Sequence, residues 1–376
     1  MLKRRIPLFG LILIVAAAIS ARADQLDDYI KAEMEKQHIP GLSIAVVRDG
    51  KVIRAQGYGV ANVELAVPAT PETVFRIGSV SKQFIASGIM LLVQEGKVSL
   101  DDKVGKHLEG TPETWKEITI RHLLSHTSGL ARESPAFHPY KDQSNAEIIK
   151  GAYGLPLLFA TGSKWEYSNL GYFILAEIIS KASGQPWGQY MAEHVFQPLG
   201  MTATHTISLK EVVPNRASGY DWSKPKVENA DILIALRPSG AFDSTVLDLA
   251  KWDAALYSDR ILKQATREQM WKPLAETSRK NPDGRYTSYG FGWFIDQLNG
   301  HTVVFHGGSQ PGFRAEFERF VDDKLTVIVL TNSDQAKPEA IARHVAAFHI
   351  SGLEKAASPA LRSNTFPSGA EPALVF

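Results

Sequence analysis

An α/β fold of the α+β kind is expected: an antiparallel sheet built from both chain ends, helices on both faces, and an inserted, mostly helical domain. Three observations carry this. Leu42-Ser-Ile-Ala-Val-Val-Arg48 and Lys51-Val-Ile-Arg-Ala-Gln56 flank Asp49-Gly50, a two-residue turn signal for a β-hairpin. Late in the chain, Tyr289 to Ile295, Thr302 to His306, Gly312 to Phe320 and Leu325 to Leu330 are aromatic and β-branched runs separated by glycine-containing turns and by Asp322-Asp323. Between these ends, from Ser79 to about residue 285, the pattern is mostly helical with long loops. Hairpin and late strands each expose an apolar face, and one sheet made from both buries them together. The sheet domain is therefore drawn over 24–78 and 286–352, and the inserted domain over 79–285.

Residues 1–23 are set apart from the fold. Lys3, Arg4 and Arg5 precede an apolar run from Ile6 to Ile19, and Ala21-Arg22-Ala23 is a small-residue cleavage signal. Together these describe a cleavable secretory signal peptide, with the periplasm as the expected destination and secretion as the alternative. The chain has no cysteine, so neither a lipid-attachment thiol nor a disulfide framework is available. Charge is nearly balanced, 41 basic against 40 acidic residues, with no like-charge block and no basic stripe of the kind nucleic acid requires. After the leader no apolar stretch is long enough to span a bilayer. The oligomeric state leaves no signature.

In order, residues 24–38 place Leu26, Ile30 and Met34 at helical spacing before the Pro40-Gly41 stop. Gly57-Tyr-Gly59 lacks the third glycine of a dinucleotide fingerprint and reads as strand-end glycines. A helix starting near Ser79 is apolar on almost every side through Val93 and stops at Gly96. Thr119 caps a short helix containing His122 and His126, which are four residues apart. Leu123, where a zinc-protease motif has Glu, favours one packed and one hydrogen-bonded histidine over a metal pair. Ser168-Asn169 caps the apolar helix Leu170 to Ala182, Pro186 opens another that ends before Pro198, and Thr245-x-x-Asp248 resembles a capping box. A helix from about Lys337 to His349 closes the domain, and an aperiodic tail rich in Ala, Ser and Pro over 353–376 is expected to be disordered.

Chemistry is suggested by Ser79 and Lys82, three apart and therefore neighbours on one helix face. Desolvation in a buried helix lowers a lysine pKa, and a neutral amine beside a hydroxyl is a base beside a nucleophile. The second Ser-x-x-Lys, Ser223 to Lys226, contains Pro225 and polar neighbours and reads as a solvated loop. Two further segments supply what such a site needs. Tyr167-Ser-Asn169 offers a hydroxyl that can relay a proton and an amide that can hold the lysine or a carbonyl. His306-Gly307-Gly308-Ser309 ends a strand in two glycines, where a ligand can approach the backbone and the N–H groups of Ser309 and Ser79 can form an oxyanion hole.

The order Ser-x-x-Lys, Tyr-x-Asn, His-Gly-Gly, with Leu123-Leu-Ser-His-Thr-Ser-Gly-Leu130, Gln197-Pro-Leu-Gly-Met201 and Val327-Ile-Val-Leu-Thr-Asn332, resembles the penicillin-binding, serine β-lactamase superfamily. The likeness covers roughly residues 27–350. It is greatest to the branch of class C β-lactamases, D-alanyl-D-alanine carboxypeptidases, D-aminopeptidases and β-lactamase-like esterases. The resemblance implies a β-lactamase/transpeptidase-like fold, an acylated Ser79, Lys82 as its base or proton partner, and Tyr167 assisting proton transfer. It further implies Asn169 contacting Lys82 and substrate; no cofactor or metal is expected, since base, nucleophile and oxyanion donors are all supplied by protein groups. His306-Gly-Gly308 stands where relatives carry Lys-Thr-Gly, so fixed charge for a substrate carboxylate and a threonine hydroxyl are both missing. Arg314 could restore the charge, although a solvated arginine is the plainer reading.

The expected function is an exported hydrolase that forms an acyl-enzyme on Ser79 and cleaves a small-molecule or peptide ester or amide, including peptides with D-residues. The alternatives are a true β-lactamase or D-alanyl-D-alanine carboxypeptidase with His306 protonated in place of lysine, a non-catalytic binder of cell-wall peptide and, more remotely, a metal hydrolase using His122 and His126.

Overall fold

The computed structural model describes residues 25–353, apart from 224, 235, 236, 282 and 283. Residues 1–23, expected to be a leader, and the tail beyond Leu353 lie outside the described residues, whereas Leu353 itself is buried in the core. The chain opens with helix α1 (residues 25–36). The hairpin follows as β1 (Gly41–Arg48) and β2 (Lys51–Asn62), turning at Asp49 and Gly50, both at positive φ as a tight two-residue turn demands. After β3 (Val67–Pro68) and β4 (Phe75–Arg76) comes the central helix α2 (Ser81–Gln94).

The middle of the chain holds α3 (Ile120–Leu124), α4 (Asn145–Lys150), α5 (Asn169–Ser183), α6 (Trp187–Met191) and α7 (Gln197–Leu199). Beyond these are β5 (His205–Thr206), β6 (Tyr220–Ser223), β7 (Lys226–Asn229), β8 (Phe242–Ser244), α8 (Val246–Ala255) and α9 (Gln264–Met270). Six strands then return, β9 (Ala275–Lys280), β10 (Tyr286–Tyr289), β11 (Phe294–Leu298), β12 (His301–Gln310), β13 (Phe313–Phe320) and β14 (Leu325–Thr331), before α10 (Pro338–Ala347).

One antiparallel sheet of nine strands runs β3-β2-β1-β14-β13-β12-β11-β10-β9, so the two chain ends meet at the β1–β14 seam with Leu42 opposite Thr331 and Arg48 opposite Leu325. Alternation along each strand sends neighbouring residues to opposite faces. Ala45, Val47, Ile328 and Leu330 face α2, α5 and α8, whereas Ile44, Val46, Val327 and Val329 join the core under α1 and α10. The small sheet β4-β8-β5 braces the chain just before α2. Among the described residues no helix is long and apolar enough to cross a membrane.

Three expectations are corrected. The run Tyr289 to Ile295 is two strands, β10 and β11, joined by Gly290-Phe-Gly-Trp293, because the chain reverses there rather than continuing. The sheet also takes β9, which starts eleven residues upstream of the expected start at 286; Ala-Glu-Thr-Ser-Arg-Lys has little strand signal, and pairing with β10 decides its conformation. Pro198 does not follow a helix end: a π-helical turn at Ala192–Phe196 carries the chain from α6 into α7, with Pro198 inside its first turn, where a missing N–H costs least.

Helix α8 is tied to the sheet through a buried charge pair. Asp253 accepts hydrogen bonds from Arg319 Nε at 2.6 Å and Thr326 Oγ1 at 2.7 Å, and Arg319 is 1% exposed beneath the rings of Tyr257 and Trp271. Asp253→Ala leaves that guanidinium buried and unpaired, so it is expected to cost about 3–5 kcal/mol in urea unfolding; a loss below about 1 kcal/mol would show the pair to be dispensable.

Candidate active site

The segment that carries Ser79 is built by close backbone approach. Ser79 lies in a 3-10 turn, Gly78–Val80, and the α-helix begins only at Ser81, two residues later than the sequence suggests. A 3-10 turn brings residues three apart into line, so Ser79 and Lys82 still share a face. Gly78 has φ +51, and a Cβ on it would stand 2.4 Å from the Ser309 nitrogen; a Cβ on Gly308 would stand 2.0 Å from the Ile77 oxygen. Glycine at both positions lets the turn press against the end of β12. This brings the backbones of Ser79 and Ser309 to the same place.

Lys82 gathers the rest. Its Nζ lies 3.1 Å from Ser79 Oγ, 2.8 Å from Asn169 Oδ1 and 2.9 Å from the Ser239 carbonyl oxygen. It is fully buried and stands 4.7 Å and 5.2 Å from the ring centroids of Tyr167 and Tyr172. Burial, the largest effect, pushes its pKa well below the usual 10.5; Glu133 opposes this, while Arg132 and Arg237 add to it. Tyr167 is likewise buried and raised, and a hydrogen bond with the Ser79 hydroxyl pulls it the other way.

Asn169 is held at both ends of its amide. Oδ1 accepts from Lys82, and Nδ2 donates to Glu133 Oε1 at 2.6 Å, while Glu133 pairs with Arg237 at 2.8 Å. The Arg132 carbonyl accepts the first N–H groups of α5, and the Ser168 hydroxyl accepts the N–H of Gly171 as a cap. The loop around Arg132 therefore fixes where Tyr167 and Asn169 leave the helix start.

His306 sits beside Tyr167, ring centroids 6.2 Å apart, and 1% exposed. Its Nδ1–H donates to the Gly307 carbonyl at 2.7 Å, which leaves Nε2 to accept from the Tyr289 hydroxyl at 3.1 Å. Burial, reinforced by Lys82, pushes its pKa down to about 3, so the ring is neutral at pH 7. Arg314 does not restore the missing cation at this strand: it is paired with Asp334 at 2.7 Å. The Ser309 side chain is exposed.

His122 and His126 do not share a face. His122 Nδ1 accepts the Thr119 N–H at the start of α3, and His126, at positive φ beyond the helix end, accepts the Ser168 N–H and packs on Tyr167 and Tyr289. Ser223 and Lys226 pair across the β6–β7 hairpin, away from any buried helix. Sequence reasoning missed Ser239, whose contribution is a backbone carbonyl, and Glu133, Arg237 and Tyr289, ordinary residues that only tertiary contacts distinguish. The one available hint was Glu133, an acid close behind the Ser128-Gly-Leu130 turn.

A β-lactamase family model matches residues 26–350. Penicillin-binding protein 4* of Bacillus subtilis is 31% identical over 322 residues, covering 80% of this chain and 70% of that protein. The octameric penicillin-binding protein homologue of Pyrococcus abyssi superposes with a TM-score of 0.80 at 30% identity, over 87% of this chain and 77% of that one. The D-amino acid amidase of Ochrobactrum anthropi, solved with D-phenylalanine, gives 0.72 at 26% identity, over 89% and 95%. Since the family match runs from α1 through α10 and includes every residue gathered at Lys82, this chain belongs to the β-lactamase family.

Proposed function

We propose that the chain is a serine hydrolase acting on an ester or amide through an acyl-enzyme at Ser79. The observation that carries this is the hydrogen-bonding environment of Lys82. A neutral amine has two N–H groups and one lone pair; Asn169 Oδ1 and Ser239 O can only accept, so they take the two N–H groups. The lone pair then faces Ser79 Oγ at 3.1 Å and receives its proton as the hydroxyl attacks the carbonyl carbon. The N–H groups of Ser79 and Ser309, set together by Gly78 and Gly308, hold the oxygen that becomes negative. Tyr167, hydrogen-bonded to Ser79 and next to Lys82, carries a proton to the leaving group; water then releases the acyl group by the reverse relay. The D-amino acid amidase relative supports amides of D-amino acids as one substrate class. The β-lactamase and carboxypeptidase reading draws less support, because the neutral His306 offers no fixed charge to a carboxylate on the leaving side. The export proposed from the leader stands apart from this chemistry.

A fluorophosphonate probe is expected to add one phosphonyl group at Ser79 and none in Ser79→Ala, read by mass spectrometry; equal labelling of the variant would overturn the assignment. Because the active lysine is the neutral form, kcat/KM should rise with pH through a midpoint well below 10.5. Lys82→Ala should lower kcat by roughly 10²–10⁴-fold; a profile flat up to the lysine's ordinary value would exclude it as base. The imidazole carbon signals of His306 should keep their neutral-form shifts between about pH 8 and 5, and a midpoint near its ordinary 6.5 would bring the carboxylate-binding reading back.

A further inference from the structure

We infer that the site selects acyl groups that are apolar and end in a carboxylate, with Arg76 as the residue that binds the carboxylate. This rests on the Ser79 acyl-enzyme reading. A cavity of about 30 Å³ opens beside the nucleophile turn, lined by Arg76, Arg237 and Gln310 and by the apolar Ile207, Leu209 and Ile234. That is the space of one water molecule or one small polar group. Each polar wall is tied to the reaction centre. Arg76 is three residues before Ser79, Gln310 follows Ser309 and donates its amide to the Gly240 carbonyl at 2.7 Å, and Arg237 is two residues before Ser239.

The charge of this cavity is not balanced from within. Arg237 is engaged by Glu133 at 2.8 Å, and the Arg216 guanidinium donates to the Ser208 carbonyl at 3.1 Å. Arg76 has no hydrogen-bond or ion-pair partner among the described residues; its guanidinium lies 5.9 Å from the Phe313 ring centroid. Asp243, opposite Arg76 in the β4–β8 register, is buried with neither carboxylate oxygen hydrogen-bonded, so it acts on Arg76 only at a distance. A half-buried arginine with no partner of its own among the described residues, on the wall of a cavity beside the Ser79 turn, is a recognition group for a planar anion.

The side of the scissile bond follows from the proton relay. The leaving group must receive its proton beside Tyr167 and Lys82, and neither Tyr167 nor His306 lines this cavity. The part of the substrate that reaches Arg76 is therefore the acyl part. Leu209 and Ile234, 46% and 49% exposed, supply an apolar approach that a bare dianion would not use.

The test compares 4-nitrophenyl monoesters of adipic, pimelic and suberic acids with neutral 4-nitrophenyl esters of the same chain lengths. For at least one length, the carboxylated ester should have a kcat/KM roughly ten- to hundredfold higher, as one charge-assisted contact allows. This ratio should fall toward one in Arg76→Gln, recover in part in Arg76→Lys, and shrink with added salt. A wild-type ratio near one at every length, or a ratio unchanged in Arg76→Gln, overturns the inference and leaves the Ser79 reading intact. If neither ester series is turned over with dependence on Ser79, the underlying reading fails instead. Calorimetry on Ser79→Ala then decides the cavity separately: adipamate, pimelamate or suberamate should bind at least about ten times more tightly than the neutral amides, and Arg76→Gln should remove the difference. Equal binding overturns it.

Discussion

A buried primary amine is the constraint around which this molecule is arranged. Lys82 lies in a helix whose residues from Ser81 to Leu92 are all buried, where a charged ammonium is strongly disfavoured. Its surroundings are polar but uncharged: two carbonyl oxygens that accept its N–H groups, the Ser79 hydroxyl and two tyrosine rings. The nearest carboxylate influence, Glu133, is spent on Arg237 and on the Asn169 amide instead of on the lysine. A salt bridge to Lys82 would have kept the amine protonated and of no use as a base. The same low-dielectric setting keeps His306 neutral, so one physical cause both lowers the lysine and leaves this end of the strand without a positive charge.

The nine-stranded sheet matters to the candidate site mainly as a rigid edge against which the Ser79 turn is pressed. Gly78 and Gly308 meet where side chains would collide with backbone, so two strands of history, the hairpin end of the chain and its last third, set the spacing of two N–H groups. Packing of this kind is insensitive to surface change and intolerant of a single methyl group.

Much of this was legible in the sequence, for reasons that differ between parts. The hairpin at Asp49-Gly50 and the antiparallel sheet from both chain ends followed from period and turn chemistry, which are local. Ser79, Lys82, Tyr167 and Asn169 could be chosen because each carries a functional group whose chemistry limits what it is for. Ser239 could not, since any residue has a carbonyl, and β9 could not, since its strand conformation is imposed by β10. The histidine at 306 was recognised as a departure, but its charge state is set by burial and by the nearby Lys82, neither of which the His-Gly-Gly motif contains.

The β1–β14 seam has a consequence in time as well as in space. Strand β1 is made within the first fifty residues, and its partner ends at Thr331, so the centre of the sheet pairs segments nearly three hundred residues apart. Loop closure of that length makes folding slow and keeps it from finishing before Thr331 has been made. Until then Ser79 and Lys82 exist only as neighbours in sequence, and the strand that supplies Ser309 has no sheet to belong to. A nascent chain of this protein therefore holds the proposed catalytic pair unassembled, and the geometry around Lys82 is among the last things it acquires.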